Sequence, residues 1–155
     1  MGDPIATYEI QRQLDTSAQT AFSDFSDPSL LVKLGTALAV TVAKESVLPG
    51  GMSVREIGVR DPLDLCCGCG PTIVVPAKMV SDPGKLTVRF DASSMGTVVR
   101  HVYAFVPLDD FRCVATDSVE ILSAPWCLGA FVTRTAQASH TRTMDALQKH
   151  YAGHA

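Results

Sequence analysis

Six segments of strand character, near 37–48, 52–60, 72–81, 85–92, 97–107 and 111–122, follow one another with only turn signals between them. The separators are Pro49-Gly50-Gly51, a cysteine-rich stretch ending at Pro71, Asp82-Pro83-Gly84, Ser93-Ser94-Met95-Gly96 and Leu108-Asp109-Asp110. These residue types pre-set tight turns. Parallel neighbours would need a crossover connection, usually a helix, and none of these links can host one. The six segments therefore form an antiparallel meander of hairpins.

The flanks differ in period. Residues 5–14 alternate, with Tyr8, Ile10 and Leu14 on one face, and predict a further strand. Asp15 or Thr16 then caps a helix on which Ala18, Ala21, Phe22 and Phe25 recur at helical spacing; Asp27-Pro28 begins a second short helix that ends at Gly35. From Cys127 to about Tyr151 there is no proline, and Ala, Gln, Arg, Met and Leu are frequent. That stretch predicts a terminal helix, entered through Pro125-Trp126. A sheet with one polar face must bury the other, and this helix is the only element large enough to cover it. The expected fold is α+β: seven antiparallel strands curved around a long C-terminal helix, with two short helices after the first strand. At 155 residues, one domain over 1–155 is expected.

Composition closes off several function classes. The net charge is −3 and no Lys/Arg run occurs, so there is no electrostatic footprint for nucleic acid. The longest stretch free of charge and proline in the first half, Leu34 to Ala43, is about half of what a spanning helix needs, so no membrane insertion is expected. Met1-Gly2-Asp3-Pro4 does not open a signal peptide. The expected location is the cytoplasm. A homodimer through the outer face of the sheet is compatible with the sequence.

The layout, over nearly the full chain, resembles the helix-grip domain of the START-related superfamily, with its polyketide cyclase/dehydrase-like, pollen-allergen-like and lipid-transfer branches. The opening Tyr8-Glu9-Ile10 through Asp15-Thr16-Ser17-Ala18-Gln19-Thr20-Ala21-Phe22, then Asp27-Pro28-Ser29-Leu30-Leu31, is similar to that of the cyclase-like branch. The resemblance implies an apolar pocket between sheet and helix, open at one end, that takes a small or medium hydrophobic molecule. It carries three functions: acid/base chemistry of the cyclase or dehydrase type, ligand carriage without chemistry, or a chaperone-activator-like interaction module. No single catalytic motif defines the superfamily, so the residues must decide.

Ala136, His140, Met144, Leu147 and Tyr151 share one helical stripe, which should face the sheet. His140 is the candidate general base; the plain alternative is a core histidine satisfied by a neighbour. Leu86, Val88 and Phe90 form the inner face of strand 85–92, and Tyr8 joins them from the first strand. Strand 97–107 leaves its inner face open. With Val99, His101, Tyr103 and Phe105 inward, His101 and Tyr103 place polar tips in the pocket; with Val98, Arg100, Val102 and Ala104 inward, Arg100 grips a carboxylate or polarises a carbonyl. Ordinary cross-strand packing is the alternative for His101 and Tyr103. Asp117 and Glu120 lie on opposite faces of the last strand, at most one of them inside, and read as solvated sheet charges.

Cys66, Cys67 and Cys69 sit in one connection, and the meander brings the 61–71, 93–96 and 123–127 connections to the same end. Cys127 and Trp126 would then join them at the pocket mouth. Four converging thiols are a candidate Zn²⁺ site, although the spacing is not that of paired Cys-x-x-Cys knuckles. A thiolate at the helix start and a tight loop filled by semi-apolar thiols are the alternatives. No cofactor is otherwise implied.

Overall fold

The computed structural model describes residues 2–62 and 72–153. Its elements are β1 (Ala6–Leu14), α1 (Ala18–Phe25), α2 (Leu30–Lys33), β2 (Ala39–Val47), β3 (Ser53–Pro62), β4 (Thr72–Asp82), β5 (Thr87–Ser94), β6 (Thr97–Pro107), β7 (Cys113–Ser123) and α3 (Gly129–Tyr151). The strands form one antiparallel sheet in the order β1-β7-β6-β5-β4-β3-β2. This is the expected meander, with β1 added at the edge beside β7. Register shifts at Val42/Lys44 and at Val98/Val99 add the local twist that bends such a sheet around a helix.

Two helix starts differ from expectation. Ser17, not Asp15 or Thr16, caps α1: its Oγ accepts from the Thr20 N–H at 3.1 Å. The long helix begins at Gly129, two residues later than Cys127, because Leu128 N–H first closes a turn onto the Pro125 carbonyl.

The grip is uneven along α3. Its buried side chains are Thr143, Met144, Leu147 and Tyr151, all in the C-terminal half. There Met144, Leu147 and Tyr151 share a core with Ile10 and Leu14 of β1, Ala18, Ala21, Phe22 and Phe25 of α1, and Val88, Phe90, Tyr103 and Phe105 of the sheet. Polar ties hold the same end. Tyr151 donates to Asp24 at 2.7 Å, Gln148 to the Gln13 carbonyl at 3.1 Å, and Arg12 to Asp145 at 2.8 Å. Upstream of Thr143 no α3 side chain is fully buried, and a hollow opens on the sheet side. Among the described residues no helix is long and apolar enough to cross a membrane.

Leu86 departs from the expected alternation. It precedes β5 with φ of 52°, a left-handed conformation, and only packs against the core from its edge; the inward face of β5 is Val88 and Phe90, both buried. The β5–β6 hairpin closes on Met95-Gly96, with φ of 52° and 78°, between the paired Ser94 and Thr97. Two positive φ values in a two-residue loop favour Asn-Gly, and methionine has no side-chain hydrogen bond to offset the cost. Met95 is exposed, so replacing it sacrifices little packing. Met95→Asn should raise Tm by about 2–4 °C in a thermal melt; an unchanged or lower Tm would contradict this account of the turn.

Candidate functional site

The alternation of β7 places Cys113, Ala115, Asp117, Val119 and Ile121 on the inner face. Four of these are apolar or nearly so; the fifth is a carboxylate with 0% exposure. Asp117 pairs in register with Ile10 of β1 and with Tyr103 of β6. Its inward direction corrects the expectation that Asp117, like Glu120, is a solvated sheet charge. The period-two run of buried neighbours on either side was the available signal.

Register also settles β6. Val99, His101, Tyr103 and Phe105 face inward, with Tyr103 and Phe105 both 2% exposed. Arg100 therefore points outward. It pairs with Asp91 at 2.6 Å on the outer face, and Arg89 shares the same carboxylate at 3.0 Å. Arg100 is thus no part of the interior site, a correction that follows from the strand's alternation.

Three elements converge on Asp117. His101 Nδ1 from β6 lies 3.5 Å from Oδ1, and His140 Nδ1 from α3 lies 3.2 Å from Oδ2. The histidine side chains are 16% and 15% exposed, and their rings face each other at 4.6 Å between centroids. Phe90 stacks on the other side of His101 at 4.9 Å and 15°. The Tyr8 hydroxyl is 3.3 Å from His140 Nδ1. Close as these contacts are, neither Asp117 oxygen nor His101 Nδ1 has an aligned hydrogen-bond partner.

The electrostatics follow from burial. Desolvation opposes ionisation of Asp117, but the two imidazoles outweigh it and lower its pKa to about 2. Desolvation, reinforced by His140, pulls His101 below the ordinary histidine range despite the carboxylate beside it. Burial and then the Asp117 charge push both the Tyr103 and Tyr8 hydroxyls upward. At neutral pH the centre holds a carboxylate, a neutral His101 and two protonated phenols.

His101, Tyr103 and His140 of this centre form one wall of a cavity of about 200 Å³ between α3, α2 and the sheet, with Asp117 behind them. Ala136, Ser139, His140 and Thr143 line it from α3, Phe90, His101 and Tyr103 from the sheet's middle, and Val59, Asp61, Val75 and Ala77 from β3 and β4. No lysine or arginine is among these lining residues. Asp61 has Oδ1 buried without a partner, and desolvation raises its pKa. The sequence reading missed it, though it alternates with Ile57 and Val59 on the inner face of β3 just as Asp117 does on β7.

Among the sequence candidates, His140, His101, Tyr103, Phe90 and Ala136 come together at this hollow. Val88, Phe105, Met144 and Leu147 do not line it; they are packed solid in the adjoining core, because α3 touches the sheet most closely at its C-terminal end. Leu86 packs at the rim of that core and Tyr8 reaches the centre through His140. Trp126 is 97% exposed and lines no part of the cavity, since the 124–128 connection runs over the surface. The connection ends do meet as expected where described: Ser123 Oγ donates to the Gly96 carbonyl at 3.4 Å. Cys66, Cys67 and Cys69 lie outside the described residues, and Cys127 is exposed.

No family model matches this chain, and no curated protein does. Solved structures match over nearly the whole length. A START superfamily protein from Mycobacterium smegmatis aligns at TM-score 0.71 and 12% identity, covering 94% of this chain and 96% of its own. The Zhui aromatase/cyclase from Streptomyces sp. R1128 aligns at 0.73 and 11%, covering 94% and 93%. Norcoclaurine synthase from Thalictrum flavum, in complex with dopamine and hydroxybenzaldehyde, aligns at 0.62 and 16%, covering 97% and 88%. The chain thus has the helix-grip fold that these structures share.

Asp61 and His101 make stability depend on pH in opposite directions. Asp61 has a raised pKa, so its ionised form costs stability above that pKa and the cost vanishes as the group protonates at lower pH. Asp61→Asn should therefore raise Tm at pH 7 by roughly 1–4 °C, with the gain shrinking as pH falls through the carboxylate range. His101 is held neutral, so protons taken up only by the unfolded chain should lower Tm as pH drops below about 6.5. A pH series of melts on wild type, Asp61→Asn and His101→Phe tests both signs; a wild-type slope that persists in His101→Phe would remove His101 as its source.

Proposed function

We propose that this helix-grip chain takes a small, neutral, largely apolar molecule into the hollow beneath α3, and that His140, backed by the buried Asp117 carboxylate, performs acid/base chemistry on its polar end. The observation that carries this reading is a cavity with mostly apolar walls whose polar side ends on a buried carboxylate flanked by two imidazoles. Apolar lining with a few convergent polar groups is the pattern of a ligand site. Nδ1 of each histidine is the nitrogen beside the Asp117 charge, so a proton there is electrostatically favoured and leaves Nε2 as the lone-pair nitrogen of a general base.

Ligand class follows from size and charge. A cavity of about 200 Å³ is small for a ligand pocket and suits about one ring with a short substituent. Asp61 borders it, the Asp117 carboxylate lies directly behind His101 and His140, and no lysine or arginine is among the described lining residues, so anionic ligands are disfavoured. A neutral aromatic carbonyl or phenolic compound satisfies both limits. The aromatase/cyclase and the aromatic ligands of the norcoclaurine synthase structure support that class by likeness of fold. In this reading Asp61 accepts a hydroxyl or amine proton of the ligand at the far side, His101 and Tyr103 set its orientation, and His140 moves the proton.

The test is a panel of one-ring aldehydes, ketones and phenols, scored by thermal shift and by product analysis. Turnover should fall about 10²–10⁴-fold in His140→Gln, with ligand affinity within a few-fold of wild type. Asp61→Asn should weaken binding of hydroxyl-bearing ligands and spare those without one. Binding without turnover by wild type would replace chemistry with carriage. No thermal shift from any member would remove the hollow as a ligand site.

A further inference from the structure

The same centre poses a problem that an organic ligand does not solve. Asp117 is fully buried, yet both of its oxygens and the facing His101 Nδ1 lack an aligned hydrogen-bond partner. Buried polar atoms are almost always satisfied, and exceptions commonly mark a missing ion or a functional role. Three such atoms here face one another.

We propose that His101 Nδ1, His140 Nδ1 and the Asp117 carboxylate together bind a divalent first-row transition-metal ion of the Zn²⁺ or Fe²⁺ type.

Four observations converge on it. The three ligand atoms come from β6, β7 and α3 and lie within 4.8 Å of one another. Each nitrogen lies 3.5 Å or 3.2 Å from its own nearer carboxylate oxygen, Oδ1 for His101 and Oδ2 for His140, a spacing close to the edge of about 3.3–3.6 Å between two ligand atoms of a tetrahedral ion with bonds of about 2.0–2.2 Å, so a small shift of the carboxylate brings all three groups to one ion. The misalignment that spoils hydrogen bonding is tolerable for an ion, because lone pairs need only point at a common centre. Finally, among the described residues no lysine or arginine lines the adjoining cavity to compensate the buried carboxylate.

Two imidazoles and one carboxylate choose the ion. Calcium and magnesium prefer all-oxygen sites, and soft ions prefer thiolates. Three protein ligands leave coordination open, as in catalytic rather than structural sites, and the opening lies toward the cavity that His101 and His140 line. The Tyr8 hydroxyl, 3.3 Å from the same His140 Nδ1, gives up that contact when the ion takes the nitrogen's lone pair. Ion and protons compete for the same atoms, so the acid/base reading above concerns the metal-free protein. The inference goes beyond that reading and holds whether or not an organic molecule is turned over.

Full-length protein stripped by chelator and titrated with Zn²⁺ in a calorimeter, then with Co²⁺ by absorption, tests it. One ion per chain is expected, with a Co²⁺ spectrum of nitrogen and oxygen donors and no thiolate charge-transfer band. His140→Gln should weaken binding by about 100-fold or more, and Asp117→Asn should do the same if circular dichroism shows it folded. His140 is at the cavity wall, so its variant keeps the test alive if Asp117→Asn unfolds. A variant with Cys66, Cys67, Cys69 and Cys127 all changed to serine should bind as wild type. Loss of binding in that variant, full binding in His140→Gln, or no saturable binding by wild type would overturn the proposal. Thermal shifts with the aromatic panel on chelator-treated protein report separately on the organic-ligand reading.

Discussion

The structure depends on α3 being held at one end. Met144, Leu147 and Tyr151 are buried among residues of β1, α1 and the sheet, and Tyr151–Asp24, Gln148–Gln13 and Arg12–Asp145 add polar ties over the same two turns. Burial of two large aliphatic side chains and one aromatic contributes several kcal/mol on the usual scale of transfer energies. Were the whole helix docked this way, its upper half would bring side chains down onto Val75, Ala77 and Ala92. Instead the small residues Ala136 and Ser139 face the sheet there. A tight grip below and small side chains above leave room for a cavity without loosening the fold.

That cavity then sets the terms for its polar wall. A carboxylate at Asp117 would be expensive in an apolar interior on its own. It is tolerated because β6 and α3 each deliver an imidazole to within 3.5 Å, and because Phe90 stacks on His101 and limits its freedom. The neighbouring phenols remain protonated beside the charge. The arrangement resembles functional sites elsewhere in that local electrostatic strain is sustained by packing around it. Asp61, on the far side of the same hollow, is a second carboxyl without its own partner. Both acids are explained more simply by what the cavity accepts than by what they add to stability.

The six-stranded meander, its antiparallel pairing, the two short helices and the long terminal helix were all legible in the chain, because turn residues and a change of period from two to 3.6 are local signals; the pairing of β1 with β7 was not. His140 was legible for the same reason, as the polar member of an otherwise apolar stripe. The inner face of 97–107 was not, since both of its faces carry apolar residues and period alone cannot rank them. The pairing of Tyr103 with Asp117 and of Phe90 with His101 decided it, and so sent Arg100 outward to Asp91. Asp117 and Asp61 were misjudged or missed because a lone acid on a strand is ordinarily solvated.

By itself, then, the sequence determined which segments are strands and helices and that a sheet must wrap the last of them, since backbone propensity and hydrophobic period act over a few neighbouring residues. Only the tertiary structure decided that the wrap is tight at one end and hollow at the other, and that His101, Asp117 and His140, separated by 16 and 23 positions in the chain, meet at one wall of that hollow. Their meeting depends on strand register and on where the helix touches the sheet, and no short-range pattern records either.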